Sequence, residues 1–276
     1  MRGLLACAIL VVIFSLVEHG SGIAHFVFDR AGRAETWMAN LVIFAVALGI
    51  AGRLVKQRWD GVFIDRECRI SLSRFQLILW TLLLVSALMT VGLTNTMAEG
   101  TIPAPPTGMK VPEGPLDIYI PPEIWALLGL GALTAVSAPG IKASRRIARN
   151  NPAVAPFDEQ RAIDTVQASQ GLVVAPFYEG DVLVKASPED ARWRDLITGD
   201  YQGAPFVDVS KLQQLAFTIL TVVVYAAGIW ELLDVPLPTD GKVVPILFFP
   251  VASWGLVSLL GISHAAYLTD KQFGDT

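Results

Sequence analysis

Residues 73–95 read SRFQLILWTLLLVSALMTVGLTN. From Phe75 to Asn95 no side chain carries a formal charge. An α-helix rises 1.5 Å per residue, so about 20 apolar residues cross roughly 30 Å of hydrocarbon. The stretch is therefore read as a transmembrane helix. Four further blocks meet the same standard or approach it: Trp37–Val55, Glu123–Ala138 with Ile118–Pro122 as an interfacial lead-in, Leu212–Leu233 and Val244–Leu268.

A shorter apolar block, Leu4–Val17, follows Arg2 and ends at Glu18. It is either an uncleaved helix or the apolar core of a signal peptide. The chain of 276 residues is 53% hydrophobic and 17% charged, where a soluble domain carries about 25% charge. This composition excludes a soluble enzyme, a disordered chain and a coiled coil. A net charge of -4 argues against a nucleic-acid partner. Cys7 and Cys68 are too few for a disulfide framework or a metal knuckle.

Lys and Arg in the connections set the orientation. Segment 53–74 carries six, segment 139–211 carries nine, and Arg2 and Lys271 fall on the same side. The opposite side holds only Arg30, Arg33, Lys110 and Lys242. The basic side is expected to be cytoplasmic, with the C-terminus there. Trp37, Tyr119 and Trp125 sit where aromatic anchors are expected. Segment 96–122 is rich in Pro and Gly and is expected to run extended. The short outer segments leave no room for a folded external sensor.

Two segments resemble each other at an offset of 137. Ser73-Arg74-Phe75-Gln76 matches Ser210-Lys211-Leu212-Gln213, and Trp80-Thr81 matches Phe217-Thr218. The returning helices share Leu127-Leu128-Gly129-Leu130 and Leu259-Leu260-Gly261-Ile262. The spacing predicts two helical hairpins in parallel orientation. Each Ser-x-x-Gln fits a capping box at a helix start; the alternative is a partner-binding signature at the inner surface.

The spans hold little charge: Glu231 and His264 lie near helix ends, and Glu123 opens its helix. Ionised groups at mid-bilayer mark proton and ion paths, so such transport and intramembrane hydrolysis are disfavoured. Ser86, Thr90 and Thr94 form a stripe at four-residue spacing, and Thr218, Thr221 and Tyr225 form a second. Hydroxyl stripes either pack helices or line a pore. Gly131, Ala135 and Ala138 form a small-residue face, as do Ala45 and Gly49. Gly129 and Gly261 are helix-packing candidates as well. Pro245 and Pro250 are expected to define or kink the start of the last helix.

Residues 143–209 form the one sizeable soluble stretch. Leu172–Tyr178 and Val182–Lys185 flank Glu179-Gly180-Asp181 as a β-hairpin. Ser187-Pro188-Glu189-Asp190 opens a short helix carrying Trp193, Leu196 and Ile197. Trp193, Phe177 and Phe206 are candidates for a small core, or for a surface against membrane or partner. Known nucleotide-binding and hydrolase motifs do not occur in the sequence. Glu18, His19, His25 and Asp29 form a loose outer cluster, read as a solvated loop rather than a metal site. No cofactor is expected.

The Ser73–Thr81 opening, Trp193-Arg194-Asp195-Leu196-Ile197-Thr198-Gly199-Asp200 and Leu259-Leu260-Gly261-Ile262-Ser263 resemble a group of uncharacterised bacterial inner-membrane proteins. The resemblance covers roughly residues 70–270 and implies membrane residence without implying an activity. The sequence thus predicts an all-α polytopic membrane protein. It has about six transmembrane helices, or five if residues 1–22 are a cleaved signal. A helix at 37–55 precedes one hairpin at 71–141 and another at 210–270, and a small α+β insert at 142–209 separates the hairpins. The expected function is a non-enzymatic inner-membrane anchor for a cytoplasmic protein partner or a second copy of the chain. The alternative is a channel or transporter for a small solute or ion, with its path between the hairpins.

Overall fold

The computed structural model describes residues 32–96, 98, 113–148, 158–201, 206–235 and 244–273. Leu4–Val17, the outer His cluster and most of the Pro-rich segment lie outside the described residues. Six α-helices occur among the described residues: α1 (Arg33–Lys56), α2 (Leu72–Thr96), α3 (Pro122–Ala148), α4 (Glu159–Gln170), α5 (Val209–Leu233) and α6 (Trp254–Phe273). A two-stranded antiparallel sheet joins β1 (Phe177–Glu179) to β2 (Val182–Val184), with Tyr178 opposite Leu183. Helices α1, α2, α3 and α5 are long and apolar enough to cross a membrane. Their exposed Val46, Val85, Val136 and Val223 are apolar surface suited to lipid rather than water. The protein is therefore a mostly helical chain of membrane-spanning character.

Three departures from the sequence reading occur. Helix α3 does not stop at Ala138 but runs through Pro139 to Ala148. The last block is not helical from Val244: residues 244–253 are extended, and α6 begins only at Trp254. Pro245 and Pro250 lack the N–H a helix interior needs. A twelve-residue helix, α4, was not expected because only Ala162, Ile163 and Val166 mark its apolar face. It is fixed by Asp158, whose side chain accepts from the Arg161 amide at 3.1 Å, and by left-handed Gly171 at its end.

The chain divides into two compact units. The first holds the described residues within Met1–Ala51, Leu79–Ala126 and Val222–Trp254. Its helix contacts are polar pairs buried among apolar residues. Trp37 donates its indole N–H to Ser86 Oγ at 3.0 Å, and Asn40 donates to Thr90 Oγ1 at 2.9 Å. Ser86, Thr90 and Thr94 also donate to carbonyls three or four residues back on α2. This hydroxyl stripe is committed to packing.

Asn95 holds the extended segment in the same unit. Its Nδ2 donates to the carbonyls of Pro115 and Ile246, each at 2.7 Å, and its Oδ1 accepts from the Ile246 amide at 2.8 Å. Tyr119 adds a rung, donating to Leu247 O at 2.7 Å and accepting from the Phe249 amide at 3.1 Å. Non-helical backbone buried away from water needs such partners. Trp80 is buried against Tyr225 with ring centroids 6.1 Å apart, and the Tyr225 hydroxyl donates to Pro250 O at 3.2 Å.

The second unit holds the described residues within Gly52–Ile78, Leu127–Thr221 and Gly255–Thr276. One core gathers Ile64, Ile70, Leu72, Ala138, Leu196 and Tyr267. A smaller one joins Ala162, Val166, Leu172, Tyr178 and Leu183. The small core does not include Trp193, Phe177 or Phe206, which are 51%, 44% and 72% exposed. The short helix expected at Trp193 is a pair of 3-10 turns, Pro188–Asp190 and Trp193–Leu196. Trp193 instead lies on Phe63 and Phe75, at centroid distances of 5.7 and 6.1 Å.

Candidate functional site

The second unit carries a buried charge cluster that joins the insert to the helix ends. Its centre is Asp200. Oδ1 lies 2.9 Å from Lys211 Nζ, 3.2 Å from Arg69 Nη1 and 3.8 Å from Lys142 Nζ, and Oδ2 lies 2.5 Å from Lys271 Nζ. Asp200 belongs to the insert, Arg69 to the turn before α2, and the three lysines to α3, α5 and α6. Burial alone would raise the Asp200 carboxyl, but Lys142, Lys211, Lys271 and Arg69 hold it well below the usual carboxylate range.

Two smaller knots extend the cluster. Lys142 donates to Asp65 at 2.9 Å and to Glu67 at 3.3 Å, and Arg146 donates to Glu67 at 2.8 Å. Burial pushes the Asp65 carboxyl up; Lys142 and the bond from Glu67 outweigh it and bring it to about 2. Lys185 meets both Asp195 oxygens at 2.8 and 2.9 Å, with no side-chain exposure on either partner. Burial lowers the Lys185 ammonium to about 8 against the pull of Asp195. A pair this dry stabilises less than its short distances suggest, yet losing one partner strands the other charge.

The turn that carries Arg69 is tightly built. Ile64 and Ile70 form an antiparallel bridge, and Asp65 Oδ1 accepts from the amides of Glu67 and Arg69 at 3.1 and 3.0 Å. Cys68 is left-handed at φ 54°. The Lys185 amide donates to Glu67 O at 3.0 Å, so the turn and β2 share a rung.

A second polar group is buried among α2, α3, α5 and α6 in the same unit. Gln76 donates to Thr218 Oγ1 at 2.6 Å. Gln214 Nε2 donates to Gln76 Oε1 at 3.0 Å and contacts His264 Nδ1 at 3.1 Å. Thr134 Oγ1 makes a short contact to the same nitrogen. Gln214 Oε1 and Ser263 Oγ are buried without a hydrogen-bond partner among the described residues.

These arrangements redistribute the residues singled out from the sequence. Ser73 and Ser210 each sit one residue inside their helix rather than at its cap. Asp208 caps α5, accepting from the Lys211 amide at 3.0 Å. Ser210 meets Asp208 and Asp270 at 2.7 and 2.8 Å, and Ser73 meets Ser71 at 3.1 Å. Gln76 turns into the helix packing, whereas its offset partner Gln213 is exposed and Gln214 takes the buried place. Thr218 receives Gln76, Phe217 gives its carbonyl to Thr221 at 2.7 Å, and Thr81 is exposed.

The small residues divide too. Ala138 joins the core. Ala135 lines a cavity beside Lys142. Gly261 is 3.8 Å, measured from where a Cβ would stand, from Leu130 Cδ1, while Gly129 and Gly131 have no atom within 4 Å of that point. The missed residues are Asp65, Glu67, Asp195 and Asp200, whose partners lie up to 131 positions away. Compared with protein-family models, with curated proteins and with solved structures, the chain matches none.

Proposed function

We propose that the chain is a non-enzymatic anchor of the bacterial inner membrane that presents residues 142–209 to a protein partner. The basic end of the helices and the C-terminus face the cytoplasm. The observation that carries the reading is Asp200. One insert carboxylate bound to cations from α3, α5, α6 and the 64–70 turn makes the insert a fixed part of the helix ends rather than a tethered module. A fixed surface loses little freedom when a partner docks, which favours recognition. Photocrosslinkers at exposed Val173 and Phe177 in whole membranes test it. A specific protein adduct at both positions is expected. Adducts with lipid alone overturn the reading.

The Gln76–Gln214–His264 chain favours a second reading, a path for a small solute or ion, because Gln214 Oε1 has an unmet acceptor among the spans. Flux through liposomes containing the purified chain alone, abolished by Gln214→Leu, would establish that reading in place of the anchor.

A further inference from the structure

A cavity of about 360 Å³ opens between the 64–70 turn, the start of α2 and the part of α3 around Pro139. Its volume suits a small ligand or headgroup. One wall is apolar and small, with Ala135, Ala138 and Pro139. The remainder is polar and carries Arg66, Arg74, Ser71 and Ser73. Asp65 and Glu67 also line it, but their carboxylates already meet Lys142 and Arg146. Among the described residues no ion pair engages Arg66 or Arg74. The charge left to the cavity is positive.

Arg74 is anchored by a side-chain bond, and Arg66 by the backbone that carries it. Arg74 Nη1 donates to Ile64 O at 2.7 Å, which anchors the guanidinium and leaves its other N–H groups without a hydrogen-bond partner among the described residues. Arg66 is carried at the tip of the turn that Asp65 braces through two backbone amides. Ser71 and Ser73 share one hydrogen bond at 3.1 Å, so one of the two hydroxyl protons remains to donate outward. Planar guanidinium forks and hydroxyls are the groups that recognise phosphate oxygens.

We infer that this cavity binds a phosphate-bearing anion, a phosphomonoester or phosphodiester headgroup, between Arg66 and Arg74 with a serine hydroxyl as third donor. The apolar wall would take the glycerol end of the ligand. The inference does not use the anchor reading. The headgroup can come from an anionic phospholipid or from a soluble phosphate, and the two sources separate by experiment.

The full chain is purified in mild detergent. Retained phosphatidylglycerol is measured by native mass spectrometry, with inorganic phosphate and glycerol 3-phosphate titrated as competitors. The wild type is expected to retain phosphatidylglycerol. Arg66→Gln and Arg74→Gln should each weaken retention about fivefold, the effect of one surface cation on an anionic headgroup. Arg161→Gln, on exposed α4, should change nothing. Competition by the soluble phosphates identifies a water-borne ligand, and retention without competition identifies the lipid; either supports the site. Arg66 is exposed and makes no side-chain hydrogen bond among the described residues, so Arg66→Gln keeps the fold. Retention by Arg66→Gln equal to the wild type, or binding of none of the probes, overturns the inference.

Discussion

Gly180, at the tip of the β1–β2 hairpin, stands against the backbone of Arg146 on α3: a Cβ at Gly180 would lie 2.6 Å from the Arg146 carbonyl oxygen. Its φ of 61° is in the left-handed region that glycine occupies without strain. Arg146 meanwhile reaches Glu179 at 3.1 Å and Glu67 at 2.8 Å. Gly180→Ala meets both obstacles, strained backbone and a neighbour that is main chain and cannot rotate aside. A loss of about 2 kcal/mol or more is expected. It is read as a lower melting temperature in detergent and faster protease cleavage near residue 180.

Asp200 should be the least replaceable charge of the second unit. Asp200→Asn leaves Arg69, Lys142, Lys211 and Lys271 facing one another in a buried place. Removing one partner from such a cluster costs about 3–5 kcal/mol. Lys211→Met removes one of four cations and should cost clearly less. Thermal melting of the two variants side by side gives the ranking, and equal losses would contradict the central role of Asp200.

Acid should loosen the second unit within a defined range. Asp65 is lowered from 3.8 to about 2, so its contribution is complete above pH 4 and disappears as pH falls from about 4 to about 2. That contribution is about 2 kcal/mol for a shift of this size. Asp200, also held below the usual carboxylate range, releases on the same descent. Stability measured from pH 7 to pH 2 should show a fall between about pH 4 and about pH 2, and Asp65→Asn should remove part of that fall.

Asn95 should prove sensitive to both shape and charge. Asn95→Leu removes three hydrogen bonds from buried backbone groups, and an unmet group of this kind costs about 1–3 kcal/mol. Asn95→Asp keeps an acceptor for the Ile246 amide but turns a carboxylate toward two carbonyl oxygens. Both variants should speed hydrogen exchange at Ile246, with no change at the α4 amides.

The spans were legible because each is an uninterrupted apolar run: 37–55, 75–95 and 212–233 all fall inside observed helices. The last block starts its helix later than Val244 because Pro245 and Pro250, read as defining or kinking that start, both precede it, while the bonds that hold 244–253 in non-helical form come from Asn95 and Tyr119, distant in sequence. The Ser-x-x-Gln pattern does fit a capping box, yet at α5 it loses to Asp208 two positions earlier. Hydropathy could not reveal the charge cluster. Lys142, Lys211 and Lys271 read as ordinary loop cations, since nothing local to them announces Asp200. Gln214 escaped because the repeat pattern points to its neighbour Gln213.

The bond between Asn95 and Ile246 joins residues 151 positions apart. During synthesis at about 5–20 residues per second, the Asn95 amide exists for on the order of ten seconds before its partner is made. Through that interval the end of α2 must borrow water or translocon groups. The Asn95–Ile246 closure is thus a late event in biogenesis. A ribosome stalled before residue 246 should hold an intermediate in which this seam stays open.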